Sequence, residues 1–416
     1  MSERNQRASV CVVGLGYIGL PTAVVLARAI GNVAGYEIDE IKRQIISGGR
    51  APFVEKGLDS VLREVIESGS LTVVENLPDA NCYIVAVPTP IDEDKTVDLA
   101  YLKSAIRQVS GRLQGDELIV VESTCPPGTT WQVRNWVLEA RPDLCNHVES
   151  DLIQFAYCPE RVLPGNILFE ISENDRIAGG LTESAATRAK ALYESFCHGT
   201  IHLTDATTAE ITKLAENTFR DINIAFANEL EIISRDLGAN AWEVISLANH
   251  HPRVNILKPG PGVGGHCIAV DPWFLAAASE TPTPMIEAAR AVNDGKPKQV
   301  VNRVIGALGS KVTASILVLG ITFKENVDDV RESPAVTVVS MLSRELPSSE
   351  ILVVDPMASE LPGWLSVAEN VRFSAEVPSV LRGFDVVVGL VAHDDFKRIE
   401  ADDFGEATVV DTRNMF

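Results

Sequence analysis

The run Val10-Cys11-Val12-Val13-Gly14-Leu15-Gly16-Tyr17-Ile18-Gly19 constrains the fold of this chain more than any other stretch. A short β-branched segment reads as a strand, and residues 21–30 read as a helix. Between them, Gly14 permits a tight turn, Gly16 lets the backbone approach a pyrophosphate, and Gly19 lets helix and strand pack closely. The amides near Tyr17 and Ile18 then face the phosphates at a helix N-terminus. Residues 32–38 form the next strand, and Glu37 lies near its end, 21 residues after Gly16. An acid there accepts hydrogen bonds from the adenosine ribose hydroxyls and repels a 2′-phosphate, so the ligand expected is NAD, not NADP. Lys42 either lies over the adenine, reaches a phosphate, or sits on a solvated helix face.

The alternation continues. Residues 84–87, 118–121 and 155–158 read as buried strands, with a helix over 99–113. A parallel α/β sheet follows. Residues 205–238 read as one long helix, with Thr207 and Glu210 in a capping-box pattern and Gly238 as its stop. Ile211, Leu214, Ala215, Ile222, Ala225, Phe226, Leu230 and Ile233 recur at helical spacing. At about 1.5 Å per residue the helix spans roughly 45–50 Å, the length of a strut between domains and a natural dimerisation element. A second α/β unit begins at 315–320, passes through a helix at 334–346 and a strand at 351–355, and adds strands at 384–390 and 408–411. It lacks the glycine triplet, so it is expected to bind something other than a dinucleotide. At 416 residues the chain is too long for one core. Three domains are expected: 1–200, dinucleotide-binding; 201–305, helical, with a glycine-rich loop; and 306–416, a second nucleotide-type fold.

Composition narrows the partners. A net charge of −21 provides no basic field for nucleic acid. No apolar run approaches the roughly 18 residues of a membrane span, and the N-terminus shows no signal-peptide h-region. Seven dispersed cysteines without a CxxC pair point to a reducing cytoplasm.

The chemistry concentrates in Pro259-Gly260-Pro261-Gly262-Val263-Gly264-Gly265-His266-Cys267, with Asp271 four residues on. A cysteine at the lip of a glycine loop, near a carboxylate, suits a nucleophile that forms a covalent intermediate. Cys11, Cys82 and Cys158 lie in apolar, strand-like runs and read as inert. Lys213, Asn217 and Arg220 fall at i, i+4 and i+7 on the long helix and share a face. A lysine buried there makes a usable proton-transfer group. Thr89 and Thr124 each follow a predicted strand, where an open sheet binds its ligand, although turn chemistry explains them equally. His250-His251 precedes the glycine loop and His266 precedes Cys267; two histidines, a cysteine and an aspartate invite a zinc reading, but the spacing does not fit a structural site and adjacent histidines do not easily point at one ion. His251 and Arg253 are better placed to bind an anionic or hydroxyl-bearing substrate.

Together these residues resemble the UDP-glucose/GDP-mannose dehydrogenase family. The likeness extends from Gly14 to Arg413. It is carried by Tyr157-Cys158-Pro159-Glu160-Arg161, Lys213-Leu214-Ala215-Glu216-Asn217, Gly264-Gly265-His266-Cys267 with Asp271, and Phe323-Lys324 with Arg331-Glu332-Ser333-Pro334. The resemblance implies two Rossmann-like α/β domains joined by a long helix that pairs subunits. It also implies a four-electron oxidation of a UDP-sugar C6 hydroxymethyl to a carboxylate with two NAD+. Cys267 would be the nucleophile and Lys213 the acid/base, with Asn217 beside it. Asp271 would place or activate water, and Glu160 would orient the site. Arg161, Val162, Arg220, His251, Arg253 and Gly264 would hold the sugar and nucleotide. Lys324 would meet the UDP, and Arg331 would lie near the cofactor or a subunit boundary. Residues 158–165, 251–255 and 259–267 resemble the members that act on UDP-N-acetylmannosamine. Val270 stands where the UDP-glucose members carry lysine, which argues against UDP-glucose; UDP-N-acetylglucosamine is a further alternative. The rivals are a two-electron β-hydroxyacid dehydrogenase, which needs no Cys267, and a catalytically silent nucleotide-sugar sensor.

Overall fold

The computed structural model describes residues 7–91, 97–162, 165–265 and 267–416. Leu163, Pro164 and His266, which belong to motifs named above, lie outside the described residues, as do residues 1–6. Contacts divide the chain into two compact units, 1–216 with 273–280 and 217–272 with 281–416. Among the described residues no helix is long and apolar enough to cross a membrane.

The first unit is built on eight strands: β1 (Val10–Val13), β2 (Val33–Tyr36), β3 (Leu71–Val74), β4 (Cys82–Val85), β5 (Leu118–Val121), β6 (Gln154–Tyr157), β7 (Arg176–Gly180) and β8 (Ile201–Asp205), in the order β3-β2-β1-β4-β5-β6-β7-β8. The runs VCVV, CYIV and LIVV are buried along their whole length. That is the pattern of strands covered on both faces, and each face has its own apolar cluster. All neighbours pair parallel except β6 and β7, which run antiparallel through Ala156 opposite Gly180 and Tyr157 opposite Gly179. The sheet is therefore mixed, not wholly parallel, and strand 154–157 is followed by two more strands. Strand order reverses at β1, which lies between β2 and β4. A crevice at the strand C-termini is the consequence.

The second unit carries a five-stranded parallel sheet: β9 (Ser315–Leu319), β10 (Glu350–Val354), β11 (Val371–Ser374), β12 (Val386–Gly389) and β13 (Thr408–Asp411), in the order β11-β10-β9-β12-β13. Its switch point is β9, between β10 and β12.

The long helix runs from Ala206 to Asp236. Its start corrects the capping-box expectation. Asp205 caps the first turn through the Thr208 amide and hydroxyl. The buried Glu210 carboxylate instead accepts from the Gly128 amide and from the Thr130 amide and hydroxyl, pinning the turn before the Thr129–Ala140 helix. The apolar residues do not share one fate. Leu214 and Ala225 are buried, whereas Ile211, Ala215, Phe226 and Ile233 are exposed, along with Phe219 and Leu237.

Candidate active site

The three N-terminal glycines differ in a way that identifies the ligand side. A Cβ on Gly14, whose φ is +93°, would come within 2.6 Å of the Ala86 carbonyl oxygen, and one on Gly19 would strike the Gly14 carbonyl. A Cβ on Gly16 would meet nothing within 4 Å. Two glycines serve internal packing, and the middle one leaves its surface open. Glu37 is buried at the end of β2. Its carboxylate accepts from the Leu15 amide on one oxygen and the Asp39 amide on the other, at 3.0 Å each. The acid is thereby fastened to the turn it serves. Tyr17 stacks against Phe53 with ring centroids 4.5 Å apart, and Ile18 directly precedes the Gly19–Ile30 helix. Lys42 lies half-buried on the helix Glu40–Ser47. Its neighbour Arg43, absent from the sequence reading, donates to the Glu37 and Ile38 carbonyls. The Thr89 hydroxyl donates to the Thr124 carbonyl at 2.6 Å, so the ends of β4 and β5 are tied at these residues. The residues present fit a dinucleotide: an open glycine, an N-terminal helix turn and an anchored acid.

Lys213 is 8% exposed and Glu160 9%, both in the first unit. Glu160 accepts from the Arg161 amide at 2.8 Å on one oxygen and from the Arg176 guanidinium on the other. Arg161 pairs with Glu216 at 2.6 Å, and Val162 packs on the apolar cluster beneath. Arg176 escaped the sequence reading. It lies over the rings of Tyr193 and Phe196, 4.9 and 5.2 Å from their centroids. Behind it, Glu122 accepts from the Tyr193 hydroxyl at 2.6 Å and the Thr22 hydroxyl at 3.1 Å. Burial pushes the Glu122 carboxyl up to about 7, against the opposing pull of Arg176. The one available signal was an arginine opening an otherwise apolar strand.

In the second unit Cys267 is exposed, whereas Cys11, Cys82 and Cys158 are buried. Burial raises the thiols of those three far above the ordinary cysteine value, Cys82 to about 12. Thiolates there are suppressed. The Cys267 carbonyl accepts from the Asp271 amide at 2.8 Å. Asp271, 1% exposed, opens the helix Asp271–Ala277 and accepts from the Asn217 side-chain amide. Asn217 lies one turn after Lys213 on the long helix, so helix geometry places both on one face. Arg220, His251 and Arg253 are exposed. The last two ride on a loop closed by reciprocal bonds between the Asn249 side chain and the Ile256 backbone.

The glycine loop is held from several sides. Asn228 accepts from the Gly260 amide at 2.9 Å. A Cβ on Gly264 would run into the Glu332 carbonyl and Pro334, and one on Gly262 would meet Pro334. Gly262 and Gly264 thus lie against the chain's own 332–334 segment, a reason for glycine that the sequence did not reveal. Arg331, next to that segment, is chelated by Asp329. Lys324 is half-buried on the 322–326 turn. Arg413, also unforeseen, is half-buried beside Gly260 and donates to the Pro259 carbonyl at 3.4 Å. Its signal was its position just after the last strand, where ligands bind.

Two nucleotide-type sheets, an anchored dinucleotide acid and an exposed cysteine on a glycine loop define a nucleotide-dependent oxidoreductase. Residues 8–197 match the NAD binding domain of the UDP-glucose/GDP-mannose dehydrogenase family, 207–295 its central domain and 317–416 its UDP binding domain. The chain belongs to that family. It is 46% identical over 413 residues to the NDP-N-acetyl-D-galactosaminuronic acid dehydrogenase of Ralstonia nicotianae, covering 98% of this chain and 96% of that protein. It is 43% identical over 419 residues to the UDP-N-acetyl-D-mannosamine dehydrogenase of Yersinia pestis, covering 98% and 99%. The solved UDP-D-ManNAc dehydrogenase of Pyrococcus horikoshii superposes with a TM-score of 0.87 at 36% identity, covering 98% of this chain and 96% of that one. The protein is an NAD-dependent UDP-sugar dehydrogenase.

Proposed function

We propose that this protein oxidises the C6 hydroxymethyl of UDP-N-acetylmannosamine to the uronate. The observation that carries the chemistry is the exposed Cys267, set on a glycine loop whose next turn bears the Asn217–Asp271 pair. NAD+, which the Gly14–Gly19 turn and Glu37 would hold, would supply the hydride acceptor for each of two oxidations at C6. Lys213 takes the proton of the C6 hydroxyl as the aldehyde forms, with Asn217 beside it to hold the oxygen. The Cys267 sulfur then adds to the aldehyde carbon, giving a thiohemiacetal, and loss of the second hydride gives a thioester. Asp271 places the water that cleaves it, and Glu160, fixed by Arg176, orients the sugar with Arg161, Val162, Arg220, His251, Arg253 and Gly264. Lys213 and backbone amides stabilise the oxyanions. The sum is one alcohol, two NAD+ and one water to one carboxylate, two NADH and three protons.

The substrate rests on the 251–255 and 259–267 stretches and on the mannosamine relatives. The galactosaminuronate relative supports a second reading, UDP-N-acetylgalactosamine. A panel of UDP-sugars with the purified protein decides between them, and faster turnover of any other sugar overturns the mannosamine assignment. Two NADH per sugar are expected; one would make it a hydroxyacid-type enzyme and none a sensor. In Cys267→Ala, uronate formation falls by several orders of magnitude, roughly the scale at which loss of a covalent nucleophile is felt. Near wild-type uronate yield would end the covalent mechanism. We also place the protein in the cytoplasm and assign it a homodimer through the long helix. Phe219, Phe226, Ile233 and Leu237, each at least 49% exposed, form a stripe at spacings of seven and four residues. A monomeric mass by light scattering would refute that assignment.

A further inference from the structure

The UDP-binding domain contains a buried histidine that the reaction above does not use. His393 follows β12 and its side chain is inaccessible to solvent, as is that of Asp355 at the end of β10. The Nδ1 of His393 accepts from the Asn326 amide at 3.0 Å. That fixes the ring proton on Nε2, which faces the Asp355 carboxylate and the Thr322 hydroxyl, both at 3.1 Å. Thr322 also donates to the Lys324 carbonyl, and the Asp394 amide donates to the Asn326 side chain. One imidazole therefore joins the end of β10 to both ends of the 322–326 turn. Asn326 has φ +59°, a conformation that needs outside support in a non-glycine residue.

That turn carries Lys324 and Phe323. Lys324 is the expected UDP contact. The Phe323 ring lies against Gly265, where a Cβ would come within 3.2 Å of it, two residues before Cys267. The acid at the strand end is not available to a ribose in this domain. Asp355 is enclosed, and its oxygens are taken by the Ile321, Thr322, Met357 and Ala358 amides and by His393. The turn with Lys324 is left to meet the nucleotide, and His393 is hydrogen-bonded to both its ends.

We propose that His393 is a positioning residue for the substrate nucleotide, holding the Thr322–Asn326 turn so that Lys324 meets the UDP. The proposal rests on the UDP-sugar dehydrogenase reading. The test is calorimetric titration of UDP and, separately, NAD+ into the full-length protein and its variants, with KM and kcat for the turned-over sugar. His393→Ala should weaken UDP by about tenfold or more and raise KM by a similar factor, with kcat and NAD+ affinity within about twofold. Two isosteric variants separate the contacts. His393→Asn keeps an acceptor where Nδ1 stood and should return UDP affinity to within about threefold of wild type. His393→Gln keeps a donor toward Asp355 and should restore melting temperature without restoring UDP affinity. UDP affinity that tracks melting temperature across the three variants, or that is unchanged in His393→Ala, overturns the positioning role alone. If His393→Ala fails to fold, the Asn and Gln pair still decides. Wild-type protein that binds no UDP overturns both this inference and the reading beneath it.

Discussion

The two nucleotide-type sheets of this protein share a skeleton and differ in what fills their first turn. In both, the strand order is 3-2-1-4-5 from the outer edge across the switch point. Gly14 and Gly320 have φ of +93° and +88°, and their amides donate to the last residues of the neighbouring strands, Tyr36 and Val354. Glu37 and Asp355 follow those strands and accept amides from the opposite turn. Beyond that the regions part. After Gly14 come an open Gly16 and a helix that begins at Gly19. After Gly320 come Thr322 and Phe323, and the helix waits until Pro334. The first arrangement leaves a bare backbone open at a helix N-terminus, the geometry that suits a pyrophosphate. The second presents a turn stiffened by a histidine. Topology builds the crevice, and ligand class is set by the few residues on the turn.

Buried acids divide the regions as well. Glu122 in the first unit is pushed up to about 7 by burial. Burial also acts to raise Asp355, but the hydrogen bonds from His393 and the Ile321 and Thr322 amides outweigh it and hold the carboxyl below the usual value. The linkages have opposite sign. Glu122 contributes stability that is full below its unfolded value near 4.5 and is lost as pH rises through about 7. Asp355 contributes stability that is present above its unfolded value near 3.8 and is lost as pH falls through its lower folded value.

The contrast is most exposed to Gly16→Val. A side chain there meets no protein atom, so the melting temperature should stay within about 2 °C, while NAD+ affinity drops about a hundredfold or more, roughly 3 kcal/mol. Retained NAD+ binding by calorimetry would show that the open face is not the phosphate face. Glu122→Gln keeps acceptor capacity for Tyr193 and Thr22 and removes the titration. Denaturant melts should show the variant gaining about 3 kcal/mol on wild type between pH 4.5 and 7, the window that the raised carboxyl defines. A pH-independent difference would mean that Arg176 keeps Glu122 ionised throughout. Gly320→Ala should do the reverse of Gly16→Val. Its Cβ would press on Val391 at a positive φ, costing about 2 kcal/mol of stability in chemical denaturation with NAD+ affinity intact. Glu37→Gln should have the smallest effect, narrowing the preference for NAD over NADP by about tenfold in kcat/KM. An unchanged ratio would transfer cofactor selection from this acid to its surroundings.

The sequence alone determined whatever depends on local periodicity and short spacing. The β-branched runs, the Gly14–Gly19 turn, the acid at Glu37 and the long helix are properties of neighbouring residues, and each formed close to where the pattern placed it, the strand expected at 84–87 falling at Cys82–Val85. The exposure of Cys267 was also legible, because a cysteine in a glycine loop differs from Cys11 or Cys82 in its immediate context. Tertiary structure decided what the polar residues pair with. Glu210 read as a helix cap but is held by Gly128 and Thr130, 80 or more positions away. Glu122 and His393 carry no local signature, and Arg176 and Arg413 only that of an arginine at a strand end. Their partners are brought to them by strand order, and a charge buried among distant neighbours cannot be priced from the residues beside it. The glycine loop shows both limits: composition announced a close approach, but only the folded chain revealed that its own segment at 332–334 makes one of them.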